Sequence, residues 1–271
     1  MNYSVLMSVY YKERPDYLRE SMESIYTQTI PTDNFVLVCD GPLTSDLDAV
    51  ISTMQEKFGN HLYVHRLSKN GGLGNALNEG MKYCKNELIA RMDSDDISRP
   101  ERCQKELAYL REHPDISVVG GAIEEFSESV NQVYAKRMVP QHHVDIVRFA
   151  KRRNPFNHVS VMYRKHDVEC VGGYQTFFLL EDYYLWIRML HSGYQGYNMQ
   201  EPLVWVRAGQ DMYARRGGWK YVKSQCSLLK YMREIDFISL NEYIVQSMVR
   251  ITGTLMPGWL RGMIYRRCLR K

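Results

Sequence analysis

Three aspartates, Asp93, Asp95 and Asp96, fall within four positions of the stretch "ARMDSDDISRP" at residues 90–100. A short apolar run precedes them and a proline follows. At an extended strand end Asp93 and Asp95 point to one side and Asp96 to the other. Like charges set this close are costly unless a cation sits between them, and Arg91 is the nearby basic residue. A divalent ion held by few protein oxygens, with diphosphate and water as its other ligands, meets that need. A turn-forming or capping aspartate is the simpler reading of one such residue. It accounts for Asp96 alone better than for all three.

A second acidic pair, Glu181-Asp182, opens a stretch in which Leu185, Trp186, Met189 and Leu190 recur at helical spacing. Acids in a first turn complement the helix dipole. The same position keeps a carboxylate ionised, ready to take a proton from a hydroxyl as a general base. "NGGLGNALNEG", residues 70–80, is glycine-rich and opens a helix, which suits the approach of a phosphate. It fits neither common phosphate-loop pattern, so a tight turn with close packing is the competing reading. Asp40 in "VCDGP" reads equally as an Asp-Gly turn, and His158 after "NPFN" as a hydrogen-bonded structural residue.

The elements that must carry these residues alternate. "YSVLMSVY", "NFVLVCDG", "LYVHRL" and "ELIARM" are strands, separated by helices over "RPDYLRESMESIYTQ", "SDLDAVISTMQEKFGN" and "GLGNALNEGMKYCK". "SRPERCQKELAYLREHP" is a further helix, with Ser98 and Glu101 spaced as a capping box. "ISVVGGAIEEF" is a fifth strand, and a helix over "HHVDIVRFAKR" precedes the loop and strand of "NPFNHVSVMYR". This βαβα rhythm implies a mostly parallel sheet between layers of helices. Ligands of such sheets bind beyond the carboxyl ends of the strands. The rule gathers Tyr10, Tyr11, Glu13, Asp40, Asn70 and residues 93–96 along one edge. No boundary is evident before about Gly209.

The 271 residues are enough for one large α/β domain or two small ones. An apolar fraction of 45% with 24% charged residues is that of an ordinary soluble protein. The net charge of +4 is uneven, because the last acid is Glu242 and six cations follow it, leaving the preceding chain at −2. The six cysteines show neither a CxxC pair nor zinc-ligand spacing, so reduced thiols and a cytoplasmic location are expected. The N-terminus lacks a basic leader pattern, and no apolar run approaches the ~18 residues of a membrane span.

Taken in order, these motifs resemble those of the inverting glycosyltransferases of family 2, over about residues 3–210. "LMSVYYKE" is similar to the family's Pro-x-Tyr-Asn-x-Glu start: Tyr10 and Glu13 match, Ser8 stands for the proline and Tyr11 for the asparagine. "VLVCDG" resembles the strand whose aspartate reads the uracil, here Asp40. "NGGLGNALNEG" resembles the segment that begins at Asn70, with Leu77 in place of its arginine. "RMDSDDISRPER" is close to the Asp-x-Asp-Asp signature. "GGY" followed by "LLEDYYLWIRML" resembles the acceptor-side glycines and the Glu-Asp motif.

The resemblance implies a GT-A fold, a Rossmann-like αβα sandwich over residues 1–208, with a nucleotide-sugar half to about 125 and an acceptor half from about 126. It implies Ser8, Tyr10, Glu13, Asp40, Asn70, Arg91, Asp93 and Ser94 at a UDP-sugar. It also implies Mn2+ or Mg2+ on Asp95 with Asp93 or Asp96 assisting, and Asp182 as base. Glu181, His158, Arg207, Arg215 and Arg216 are candidates for acceptor or lid contacts. The expected acceptor is a lipid-diphosphate-linked glycan of a bacterial capsule, exopolysaccharide or O-antigen, and no nucleic-acid partner is expected. Residues 209–271 read as a lid and a basic amphipathic tail, with 255–271 suited to an anionic membrane surface on the inner side of the plasma membrane. A sugar nucleotidyltransferase shares the sandwich and the acidic ligands but usually starts with a Gly-rich loop, and "SVYYKERP" has no glycine. A non-catalytic membrane-surface protein is the other alternative.

Overall fold

The computed structural model describes residues 2–208 and 218–255. Four strands form the parallel part of the sheet: β1 (Tyr3–Val9), β2 (Asn34–Cys39), β3 (Leu62–Arg66) and β4 (Leu88–Asp93), in the order β3-β2-β1-β4. All six residues of β2 and all but one of β1 are buried. Their continuous rather than alternating apolar character follows, because helices cover both faces.

Beyond β4 the sheet changes character. The order continues through β8 (Met162–Arg164), β6 (Ile116–Phe126), β9 (Gln195–Arg207) and β5 (Ile97–Ser98), while β7 (Val133–Arg137) pairs β6 off this path. The short β8 is antiparallel to both neighbours, whereas the long β6 and β9 run parallel over ten paired positions. Gly120 and Gly121 inside β6 permit that approach. A Cβ on Gly120 would lie 2.8 Å from Asn198 Oδ1, and one on Gly121 would lie 2.5 Å from Leu203 Cδ1.

Helices α1 (Pro15–Tyr26), α2 (Ser45–Phe58) and α4 (Arg102–Glu112) pack one face of the sheet through Leu18, Met22, Leu47, Ile51, Cys103 and Leu107. The other face is covered by α3 (Leu73–Met81), α5 (His143–Ala150), α6 (Lys165–Cys170), α7 (Glu181–His191) and α8 (Trp219–Glu234). Helix α9 (Leu240–Leu255) packs antiparallel-fashion after a short turn on α8. Leu228, Leu229 and Met232 of α8 lie in the same buried cluster as Leu185 and Trp186 of α7. Residues beyond 218 therefore build the core of the preceding part.

One local expectation fails. Ser98 and Glu101 form no capping box: α4 begins at Arg102, and no side chain caps it. Ser98 is instead buried in β5, where its N–H donates to Ser24 Oγ at 3.0 Å and its hydroxyl accepts from Gln28 at 3.1 Å. The reciprocal pattern does occur at α9. There the Ser239 N–H donates to Glu242 at 2.9 Å, and the Glu242 N–H donates to Ser239 Oγ at 3.2 Å.

Candidate active site

The carboxyl ends of β1, β2 and β4 bring the sequence-singled residues to one edge. β4 ends at Asp93, and the chain bends through 94–96 before β5. The bend cancels the expected alternation. Candidate ligand oxygens of Asp93, Asp95 and Asp96 all lie within 4.8 Å of one another. Ser8 pairs Asp93 across the β1–β4 register, and the Ser94 hydroxyl donates to Glu13 at 2.5 Å. Tyr10 and Tyr11 are exposed beside them and meet edge to face at 5.8 Å.

Charge repulsion in this loop is strong. Burial, with the charges of Asp93 and Glu13, raises the Asp95 carboxyl to about 7. Asp96 is driven well above the usual carboxylate range by burial and by Asp95 and Asp93. The donor set is all carboxylate oxygen, which is the chemistry a hard divalent cation takes. A cation there would relieve the repulsion, so the residues fit Mn2+ or Mg2+. Asp96 differs from the other two. It is 3% exposed, and its Oδ1 accepts the Arg207 N–H at 2.8 Å. That bond commits one of its oxygens to the scaffold and leaves Asp93 and Asp95 as the more available ligands.

One arginine holds the loop and another the strand that leads to it. Arg207 donates from Nε to the Asp95 carbonyl at 3.2 Å, pairs with Glu20 of α1, and stacks 3.9 Å over the Tyr17 ring. It thus ties the acidic loop to α1. Arg102 is fully buried in α4. It donates to the carbonyls of Arg91 at 2.8 Å and Val161 at 3.1 Å, and pairs with the equally buried Glu106 at 3.2 Å. Sequence reasoning did not single out Arg102, because nothing in "RPERC" distinguishes a buried arginine from an exposed one.

Asp40 is buried at the end of β2 and ties down the glycine turn. Its two carboxylate oxygens accept the N–H groups of Gly71 at 2.7 Å and Gly72 at 3.0 Å, and its carbonyl accepts the Asn70 side-chain amide at 3.1 Å. Gly41 passes so close that a Cβ would lie 2.7 Å from Asn70 N, at a φ of +89°. Helix α3 starts directly after this turn and meets the start of α7, where a Cβ on Gly74 would lie 3.5 Å from Glu181 Cγ.

Asp182 sits in the first turn of α7. One oxygen accepts the Asn154 amide at 2.6 Å, and the other accepts the Tyr183 N–H at 2.7 Å. Burial raises both Asp182 and Glu181, and for Asp182 the Asn154 and Tyr183 bonds and the Arg91 charge work against the rise. Arg91 is 2% exposed and pairs with Asp93, while its Nε and Nη1 have no hydrogen-bond partner among the described residues. One buried guanidinium thus binds the acidic loop and also acts on Asp182. Below it the His158 ring meets the Tyr174 hydroxyl at 2.9 Å, and burial with the Arg91 charge holds the imidazole well below its usual pKa. His158 thus packs against Tyr174 and Trp186. Asn154, in the "RRNPFN" loop, was not foreseen. Arg215 and Arg216 lie outside the described residues.

The family model described as "Glycosyl transferase family 2" matches residues 4–178. The chain belongs to that family. It is 38% identical over 268 residues to the amylovoran biosynthesis glycosyltransferase AmsE of Erwinia amylovora, covering 98% of each chain. It is also 35% identical over 269 residues to an Escherichia coli UDP-Gal:alpha-D-GlcNAc-diphosphoundecaprenol beta-1,3-galactosyltransferase, covering 99% of this chain and 97% of that one. Among solved structures, S. aureus TarS 1–349 in complex with UDP-GlcNAc superposes with a TM-score of 0.69 at 17% identity, over 99% of this chain and 76% of that one. The mannosyltransferase PcManGT from Pyrobaculum calidifontis, in complex with GDP-Man and Mn2+, gives 0.65 at 13% identity, over 98% and 80%. This family 2 transferase thus has the GT-A fold expected from its motifs. Among its described residues no helix is long and apolar enough to cross a membrane.

Proposed function

We propose that this transferase moves a hexose or N-acetylhexosamine from UDP to a hydroxyl of a lipid-diphosphate-linked glycan, with inversion, during synthesis of a bacterial surface polysaccharide. The observation that carries the reading is geometric: the carboxylate oxygens of Asp93, Asp95 and Asp96 gather within 4.8 Å of one another at the end of β4, while Asp182 is held separately by Asn154 and the Tyr183 N–H. Kinship with AmsE and with the undecaprenol-diphosphate galactosyltransferase supports the pathway and the acceptor class.

On this reading the donor lies along the carboxyl edge of β1, β2 and β4. Tyr10 and the Asp40–Gly71 turn flank the nucleoside, and Asp93 and Asp95 face the diphosphate. Asp95 and Asp93 would hold a divalent cation, which would supply neutralisation of the charge that develops on the leaving diphosphate. Asp182, oriented by Asn154 and the Tyr183 N–H, takes the acceptor proton as its oxygen attacks the anomeric carbon. One bond forms and the sugar–phosphate bond breaks on the opposite face, which inverts the configuration. UDP leaves, and the proton stays on Asp182 until solvent removes it.

The test is release of UDP from UDP-galactose and UDP-N-acetylglucosamine with a synthetic GlcNAc-diphosphate-lipid acceptor, with and without chelator. Asp95→Ala is expected to abolish the metal-dependent protection of the protein by UDP against thermal unfolding. Equal UDP binding with and without chelator in the native protein would remove the metal from the reading. Formation of UTP and sugar 1-phosphate from the UDP-sugar when inorganic diphosphate replaces the acceptor, with no release of UDP, would favour a nucleotidyltransferase.

A further inference from the structure

The outward face of α9 carries no charge. Leu240, Ile244, Val245, Met248 and Val249 are each between 41% and 63% exposed. Steps of three and four residues link them along one side of the helix. The other exposed residues described on the helix, Asn241 and Thr252, are uncharged. A helix face turned to water ordinarily carries charge, and a contiguous exposed apolar patch marks a surface that meets a partner. Of the two charged residues of α9, Glu242 borders the stripe beside Val249 and Arg250 lies off it. Glu242 is bonded back to Ser239 and approaches Lys151 at 3.9 Å. Arg250 turns inward to Gln225 and to the Arg152 carbonyl.

The inward face of the same helix grips the wall of the candidate base. Arg250 donates to the Tyr183 hydroxyl at 3.3 Å, and that hydroxyl donates to the Ala150 carbonyl at 2.6 Å. Tyr183 supplies one of the two hydrogen bonds on Asp182, and Asn154 supplies the other. Between Ala150 and Asn154 run three consecutive cations, Lys151, Arg152 and Arg153. An apolar stripe bordered by a basic run matches an anionic bilayer in both hydrophobicity and charge.

We propose that the exposed face of α9, with the Lys151–Arg153 turn beside it, seats the protein on an anionic lipid bilayer, so that the lipid-linked acceptor reaches Asp182 from the α9 side. This rests on the acceptor class proposed above and adds to it a defined docking face within the described residues. Binding through α9 buries apolar area while the basic turn lies among lipid phosphates. The acceptor's diphosphate, at headgroup level, then needs to rise only past that turn.

The experiment is co-sedimentation of the full-length protein with vesicles of phosphatidylglycerol and phosphatidylethanolamine, compared with Val245→Glu/Met248→Glu. Tyr63→Glu, on the edge strand β3, serves as control. Both stripe residues are exposed, so the fold tolerates the change, which unaltered thermal protection by UDP verifies. The double variant is expected to partition at least about tenfold less, from lost apolar burial and added negative charge, while the control matches the wild type. Equal sedimentation of the double variant and the wild type, or no sedimentation of the wild type, overturns the proposal. So does a wild-type dimer that becomes monomeric in the double variant while vesicle binding persists, because the stripe then covers a second copy. UDP protection is read in the same samples without lipid. Its absence in the wild type would sink the transferase reading and leave the vesicle result standing.

Discussion

Asp182 has the geometry of a base that is held rather than free. Both oxygens are engaged by donors, so the carboxylate is oriented, and burial raises its pKa above the ordinary range of about 3.9. The sign for activity follows. As the proposed base, Asp182 works only when deprotonated, and a raised pKa means that protonation begins at a higher pH than for an exposed aspartate. kcat/KM is therefore expected to fall on the acid side with an inflection above the usual aspartate value. Asp182→Asn is expected to remove that limb, lower kcat by ~10²–10⁴-fold, and leave UDP binding intact. A pH–rate profile with native turnover in the variant would move the base to Glu181. The residue types and their order were legible in the sequence: Asp93, Asp95, Glu13 and Asp182 could all be found from strand ends and motifs. The partners were not. Asn154 reaches Asp182 through the tertiary fold from a stretch with no distinguishing pattern, Arg102 with Glu106 braces the strand behind the loop from the core, and Asp96 is turned toward its neighbours by a backbone bend that strand alternation does not foresee.

At the scale of elements, the same four-residue signature occurs twice with different outcomes. Ser98-x-x-Glu101 reads as a capping box but is overridden, because pairing of β5 with β9 and the bond to Ser24 hold Ser98 in a strand. Ser239-x-x-Glu242 forms the box. A local motif is thus decided by whether the sheet claims its first residue. The consequence is measurable by urea denaturation. Ser239→Ala is expected to cost about 1 kcal/mol, whereas Glu101→Ala, at an exposed residue with no capping bond, is expected to change stability by less than about 0.5 kcal/mol. The parallel strands were legible because they are buried on both faces and read as unbroken apolar runs. The strand that closes "NPFNHVSVMYR" was legible too, as β8, but the short β5 and β7 were not, since two and five residues carry too little periodicity to separate strand from loop.

At the scale of the whole molecule, a division after residue 208 follows the family motifs but cuts through the packing. Leu228, Leu229 and Met232 are fully buried against the α7 side of the sheet, and Phe237 and Ile238 are nearly so. Burying each such side chain contributes roughly 1.5–3 kcal/mol. Five together approach the ~5–15 kcal/mol by which a native domain is stable. The helix also props the site directly: Ser224 donates to the Phe178 carbonyl at 2.8 Å, three residues before Glu181. A chain ending at residue 208 is therefore expected to lose cooperative thermal unfolding and near-ultraviolet circular dichroism, together with protection by UDP. A chain ending at residue 255 is expected to keep all three, because it retains α8 and α9. If the shorter chain unfolds cooperatively and binds UDP as the full protein does, the last helices are an appendage. If it does not, the acceptor wall, the interfacial face of α9 and the donor site belong to one folding unit.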